Sequence, residues 1–189
     1  MEENSLKNSA LLVIDMQRYF LEKGAPAYLG QPDSLLKNVK TLVSAFRNTR
    51  LPVVFTRHAH SIDSMSGEMS RWWHGELPME NDPYSELVKE LNPADDEIFM
   101  TKTKYSAFEG TSLESALRQK GVLSVTICGV MTNLCVETTA RHAFMKDFRV
   151  IVALDACATK NRDYHRASLL NLSYGFARIE KTKAIIKCL

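Results

Sequence analysis

Unbroken apolar runs recur along the chain at residues 11–14, 53–55, 98–100, 125–128, 150–154 and, more weakly, 177–179. They are rich in β-branched residues and do not alternate with polar ones, which is the pattern of parallel strands covered by helices on both faces. Between them the period changes. Leu35, Leu36, Val39, Leu42, Val43 and Phe46 recur at steps of three and four behind Asp33 and Ser34, predicting an amphipathic helix capped by those two residues. Thr111 and Glu114 have the spacing of a capping box, opening a helix that stops at Gly121 after Lys120. A third helix follows the turn at residues 129–133 and is predicted to bury Val136, Thr139, Ala140, Ala143 and Phe144. A fourth covers about residues 162–174 with Leu169 and Leu172 inward. Strands alternating with helices, without internal repeat or composition break, predict one α/β domain over residues 1–189, a parallel sheet between two helical layers. Residues 58–82 break the pattern. They hold His58, His60 and the pair Trp72-Trp73 but no steady period, and a stretch that long predicts a functional lid.

Charge and cysteine spacing narrow the function classes. With 24 Lys+Arg against 22 Asp+Glu, the net charge of +2 lacks the basic excess of a nucleic-acid binder, so no nucleic-acid partner is expected. No run approaches the ~20 apolar residues of a membrane span, and the start MEENSLKNSA has neither a basic nor an apolar leader segment, which predicts a cytoplasmic protein without a membrane partner. The four cysteines, Cys128, Cys135, Cys157 and Cys188, are spaced for neither a metal knuckle nor a disulfide scaffold. Each thiol needs its own explanation.

In an open parallel sheet, ligands bind beyond the carboxyl ends of the strands. The polar residues at those ends are therefore the candidates: Asp15, Arg57, His58, Lys102, the turn at residues 129–133 with Cys135, and Asp155. A thiol in the opening turn of a helix has unpaired N–H groups to stabilise its anion, a neighbouring ammonium adds to this, and a carboxylate can take the proton. Taken singly, Cys135 reads as a small buried hydrophobe, Asp15 as a turn cap and Lys102 as a solvated charge. Three such groups on separate strand ends of one rim favour chemistry.

The strings LLVIDMQRYF, KTKYSAFEGTSLESAL and ICGVMTNLCVETTARHAF, followed by VALDACAT, resemble the isochorismatase-like cysteine hydrolases, a group that includes nicotinamidases, N-carbamoylsarcosine amidases and isochorismatases. The resemblance implies a six-stranded parallel sheet with helices on both sides and an Asp, Lys, Cys triad. By it, Asp15 is the acid and base and Cys135 the nucleophile. The lysine three residues before the Tyr of Y-S-A-F is Lys102, with Lys104 as the nearby competitor. It further implies a non-proline cis peptide between Val130 and Met131, an oxyanion hole from the backbone N–H groups of Met131 and Cys135, and a homo-oligomer, dimer or tetramer. True isochorismatases generally lack a cysteine at the nucleophile position, so Cys135 favours hydrolysis of a C–N bond in a small amide, ureido or carbamoyl compound through a thioester. The competing readings are a vinyl ether hydrolase with Cys135 a bystander, and a non-enzymatic or redox-thiol protein on the same fold.

Nicotinamidases build a metal site from an Asp-x-His pair after the second strand with further histidines downstream. This chain has His58-Ala59-His60 there, with His74 beyond. A ligating histidine needs an orienting partner and loop histidines are often simply exposed, so neither metal nor other cofactor is expected. Within the 58–82 segment the resemblance favours Trp73 as a cleft residue, and His58 joins it as a substrate contact. Phe20 and Tyr105 fit packing or substrate contact equally, and Gln17 fits a hydrogen bond to substrate or to backbone. Cys128 is expected in the core, Cys157 behind Asp155, and Asp155 as a holder of loops. The substrate is a small molecule that the sequence does not name.

Overall fold

Six parallel strands form one sheet: β1 Ser9–Ile14, β2 Val53–His58, β3 Ile98–Lys102, β4 Ser124–Val130, β5 Arg149–Ala158 and β6 Arg178–Glu180. Their order is β3-β2-β1-β4-β5-β6 and every neighbouring pair is parallel. The computed structural model describes residues 6–30 and 32–189. Residues 1–5, part of the predicted domain and of the MEENSLKNSA start, lie outside it.

The helices are α1 Arg18–Leu21, α2 Pro32–Asn48, α3 Glu68–Trp72, α4 Leu113–Gln119, α5 Glu137–Met145, α6 Arg162–Gly175 and α7 Thr182–Ile186. None is long and apolar enough to cross a membrane. The unbroken apolar runs are explained by the two layers that cover the sheet. Leu11 and Val13 of β1 pack with Val39, Leu42 and Phe46 of α2 and Ile185 of α7. The alternate residues Ala10, Leu12 and Ile14 pack on the opposite face with Leu113 and Leu117 of α4, Ala140 and Ala143 of α5 and Leu172 of α6. A strand whose successive side chains both enter a core has no solvent-facing row, so the alternation of a half-exposed sheet is lost.

The order of strand addition reverses between β1 and β4, with β2 and β3 added on one side of β1 and β4, β5 and β6 on the other, and at such a switch point two connections leave in opposite directions and open a crevice beyond the strand ends. Gly129 fixes the geometry there. It pairs with Ile14 at φ 115°, and a Cβ on it would lie 2.1 Å from Ile14 O. Only glycine allows this approach, which brings the turn after β4 against the end of β1.

Several local expectations are corrected. Asp33 lies inside the first turn of α2, which begins at Pro32, so neither Asp33 nor Ser34 precedes the helix as a cap; proline's fixed φ suits that first position. The capping box of Thr111 and Glu114 does not form: Ser112 is the cap residue, and Glu114 pairs instead with Lys146 at 2.5 Å. Phe144 is 46% exposed rather than buried, its ring meeting Phe176 edge-on at 5.4 Å. Asp155 lies inside β5 rather than at its end, since β5 continues past an irregularity opposite Ile127 and Gly129. Residues 58–82 are not featureless. They contain a 3₁₀ turn at Ile62–Ser66 and the short helix α3.

Candidate active site

Asp15 follows β1 directly and leaves it at φ 49°, a left-handed conformation that aspartate tolerates better than most residues. Thr56 of β2 holds it from both sides. Its Oγ1 donates to Asp15 Oδ1 at 2.6 Å and accepts from the Asp15 amide at 3.1 Å. The second carboxylate oxygen faces Lys102 Nζ at 2.7 Å, and both side chains are fully buried. Lys102 Nζ also donates to Lys104 O at 2.9 Å and reaches Cys135 Sγ at 3.5 Å. Lys104 leaves the sheet and is exposed, so of the two lysines Lys102 is the one placed in the crevice.

Cys135 sits in a wide helical turn, Thr132–Val136, that runs into α5. The peptide between Val130 and Met131 is cis. Met131 O closes the turn by accepting from Leu134 N at 3.0 Å and Val136 N at 3.2 Å. The turn is braced from outside by Thr132 Oγ1 against His165 Nδ1 at 2.9 Å and by Thr159 Oγ1 donating to Asn133 Oδ1 at 2.6 Å. The structure thus brings Asp15, Lys102 and Cys135 together at the carboxyl edge of the sheet.

Burial decides the protonation of this group. It pushes the Cys135 thiol well up, Lys102 opposes that shift and the Asp15 charge adds to it. Desolvation of a thiolate inside the crevice thus outweighs the helix start and the ammonium, both of which favour the anion. Burial alone would depress Lys102, yet the Asp15 charge and the hydrogen bonds to Asp15 and Cys135 hold its ammonium above the ordinary range. A thiol beside a carboxylate and an ammonium is an arrangement from which the carboxylate can act as general base.

A cavity of about 290 Å³ opens over Cys135. Phe20, His58, Trp73, Tyr105 and Met131 line it, as do Tyr19, Leu134 and, at the mouth, Lys160. Trp73 Nε1 donates to Tyr105 OH at 2.8 Å, fixing both rings, whereas Trp72 is 76% exposed. Gln17, expected against the substrate, does not line the cavity. Its Nε2 donates to His58 O at 2.9 Å and Ser85 O at 2.8 Å, while Oε1 accepts from His58 N at 2.8 Å. A fully buried amide so committed holds backbone, so the expectation of substrate contact by Gln17 is corrected.

His58 and His60 face each other, Nε2 to Nε2 at 2.8 Å, and His60 Nδ1 lies 3.1 Å from Ser64 Oγ. His58 Nδ1 is 3.9 Å from Cys135 Sγ. Burial first, and then the charges of Lys102 and Lys104 among others, hold both rings below the usual histidine range. These residues do not fit a metal. The two Nε2 atoms are spent on each other, and among the described residues His74 does not converge on them. The one group of possible ligand atoms, from Asp15, His58 and Cys135, has the Lys102 ammonium within 2.7 Å of one member and 3.5 Å of another. A cation there would be repelled at close range.

The sequence reading did not find Thr56, His60 and Ser64 as supports. A threonine inside the apolar run of β2 was the available signal for the first. Asp155 holds loops as expected, its Oδ1 accepting from Thr182 N and Oγ1 at 2.8 Å each. Cys128 and Cys157 are core thiols, the latter pushed up to about 12 by burial.

Comparison with known proteins places this geometry in context. The family model described as the isochorismatase domain matches residues 9–184. Nicotinamidase 3 of Arabidopsis thaliana is 42% identical over 174 residues, covering 90% of this chain and 83% of that protein. A ureidoacrylate amidohydrolase of Yersinia enterocolitica is 29% identical, with 96% of this chain and 89% of that protein covered. Among solved structures, a cysteine hydrolase from Pseudomonas syringae pv. phaseolicola superposes with a TM-score of 0.92 at 27% identity, covering 97% of this chain and 93% of that one.

Proposed function

The chain belongs to the isochorismatase family and is a hydrolase, and from that premise we propose that it cleaves the C–N bond of a small primary carboxamide carried on a flat, apolar, heteroaromatic body. One observation carries the reading. Cys135, with the buried Lys102–Asp15 pair behind it, lines a cavity walled by Phe20, Trp73 and Tyr105. A cavity of this size suits a single ring better than a long chain, and aromatic walls suit a flat one.

In this reading Asp15 takes the Cys135 proton and the sulfur attacks the amide carbonyl carbon. The backbone N–H groups of Met131 and Cys135 receive the oxyanion. When the tetrahedral intermediate collapses, the C–N bond breaks, and Asp15 returns its proton to the departing nitrogen, releasing ammonia. The acid is left as a thioester on Cys135. Water, deprotonated by Asp15, attacks the thioester, and the carboxylic acid leaves while the sulfur regains its proton. Lys102 stays charged throughout and balances whichever of Asp15 and Cys135 is anionic.

Ammonia release from nicotinamide and from ureidoacrylate, with Cys135→Ala as the blank, tests the proposal. Turnover of nicotinamide that vanishes in the blank is the expected result. Turnover that survives in Cys135→Ala would overturn the thioester route. Lys160 at the cavity mouth favours one second reading, an anionic ureido acid; faster turnover of ureidoacrylate, lost in Lys160→Ala, is the result that would establish it. A cytoplasmic homo-oligomer belongs to the same proposal. Ile62 and Trp72, 79% and 76% exposed on the 58–82 segment, support assembly. Light scattering at about the 21.4 kDa chain mass would remove it.

A further inference from the structure

The polar groups around Cys135 divide into donors and acceptors, and the donors dominate. Lys102 offers N–H groups to Asp15 Oδ2, Lys104 O and Cys135 Sγ, while Asp15 Oδ1 is taken by Thr56. The remaining group at the sulfur is His58 Nδ1, at 3.9 Å. Which role that nitrogen plays is set from outside the cavity.

Ser64 Oγ donates its proton to Ser61 O at 2.9 Å. Towards His60 Nδ1, 3.1 Å away, it has only lone pairs left, so His60 carries its hydrogen on Nδ1. A neutral His60 then has a bare Nε2, and the 2.8 Å contact to His58 Nε2 requires the hydrogen to sit on His58. A neutral His58 protonated on Nε2 has a bare Nδ1. Burial and the nearby lysines disfavour the cation of either ring. Gln17 fixes the backbone of His58 through both its N–H and its carbonyl, and the Nε2 contact to His60 orients the ring itself.

We propose that the chain Ser64, His60, His58 fixes the His58 ring as a hydrogen-bond acceptor for the N–H of the scissile amide, so that this site selects primary amides over the corresponding esters. The inference rests on the reading that Cys135 attacks a carboxamide. A primary amide carries two N–H groups on the atom that will leave, and burying them beside Lys102 without an acceptor would be costly. His58 Nδ1 supplies that acceptor, and holding the nitrogen turns the carbonyl oxygen towards the turn that bears Met131 and Cys135. An ester presents an oxygen lone pair at the same place, which the bare Nδ1 repels. His58 contacts substrate in this account; His60 and Ser64 are positioning residues.

The experiment compares kcat/KM for nicotinamide and methyl nicotinate in the wild type, His60→Leu, His60→Gln and Ser64→Ala. Leucine removes the acceptor for His58 Nε2–H and frees the ring to take its other tautomer. The amide-to-ester ratio is expected to fall about tenfold in His60→Leu and by less in Ser64→Ala, and to recover in His60→Gln, whose side-chain carbonyl accepts the same hydrogen. Histidine nitrogen NMR of the wild type supplies a readout independent of turnover, with Nδ1 bare and Nε2 protonated expected for His58. A ratio that is unchanged in all three variants of an active enzyme overturns the inference alone, because a structural role lowers both rates together. A protonated His58 Nδ1 does the same, as does a stoichiometric metal bound between His58 and His60 in the purified protein. Absence of Cys135-dependent turnover of either compound takes down the carboxamide reading and the inference with it.

Discussion

Lys102 Nζ stands 2.7 Å from Asp15 Oδ2 and 3.5 Å from Cys135 Sγ, and all three residues are buried. One ammonium therefore serves two groups that cannot both be anionic without it. The opposed effects of Lys102 and Asp15 on the thiol give a direct consequence. Asp15→Asn removes a negative neighbour and should quicken alkylation of Cys135 by iodoacetamide while abolishing turnover, and Lys102→Met should slow alkylation. Peptide mapping of labelled protein checks this; equal labelling rates in the two variants would show that neither charge acts on the sulfur.

The same burial makes the pair a stability element. Removing one partner leaves an uncompensated buried charge, so Lys102→Met is expected to destabilise the fold by about 3 to 5 kcal/mol. Asp15→Asn combined with Lys102→Met should cost less than the sum of the single changes. Urea unfolding of the three variants measures the coupling, and strict additivity would contradict it.

Thr56→Val keeps the shape of the side chain and removes both bonds to Asp15. The loss of a buried hydroxyl that bonds a carboxylate is expected to cost about 1 to 3 kcal/mol of stability. It should also lower kcat more than it raises KM, since Thr56 orients the base and does not line the cavity. Steady-state kinetics with nicotinamide tests the split.

Gly129→Ala would force a methyl group to 2.1 Å from Ile14 O at a backbone φ of 115°. Neither flexible side chain nor open space relieves the clash, so β1 and β4 would separate where the crevice forms. Little folded protein is expected, and circular dichroism with a normal melting transition in this variant would refute the account.

Stability should fall on acidification. Burial, then Lys102, holds His58 below the ordinary value of about 6.5, and His60 is shifted the same way. The unfolded chain then binds more protons than the folded one below that value. The stabilisation is present in full above about pH 6.5 and declines as pH falls, by at most about 1.4 kcal/mol per pH unit for each group. Denaturant unfolding between pH 7 and pH 5 reads the slope, and His58→Gln should flatten it.

The sequence by itself determined the layers of this protein. Unbroken apolar runs state that both faces of a strand are covered, and the three-and-four spacing of α2 states which stripe turns inward, because both are local consequences of backbone geometry. It also brought Asp15, Lys102 and Cys135 to one rim, since each stands at or just beyond the end of a parallel strand. What only the tertiary structure decided are pairings across long separations. Thr56 meets Asp15, and Gln17 meets His58, over 41 residues through the register of β1 against β2, while Glu114 gives up its capping box for Lys146. The protonation of Cys135 belongs there too. Its helix start and lysine are legible in the sequence, but the cost of charging a buried sulfur depends on how much of the fold closes over it, and that quantity is written in no single segment.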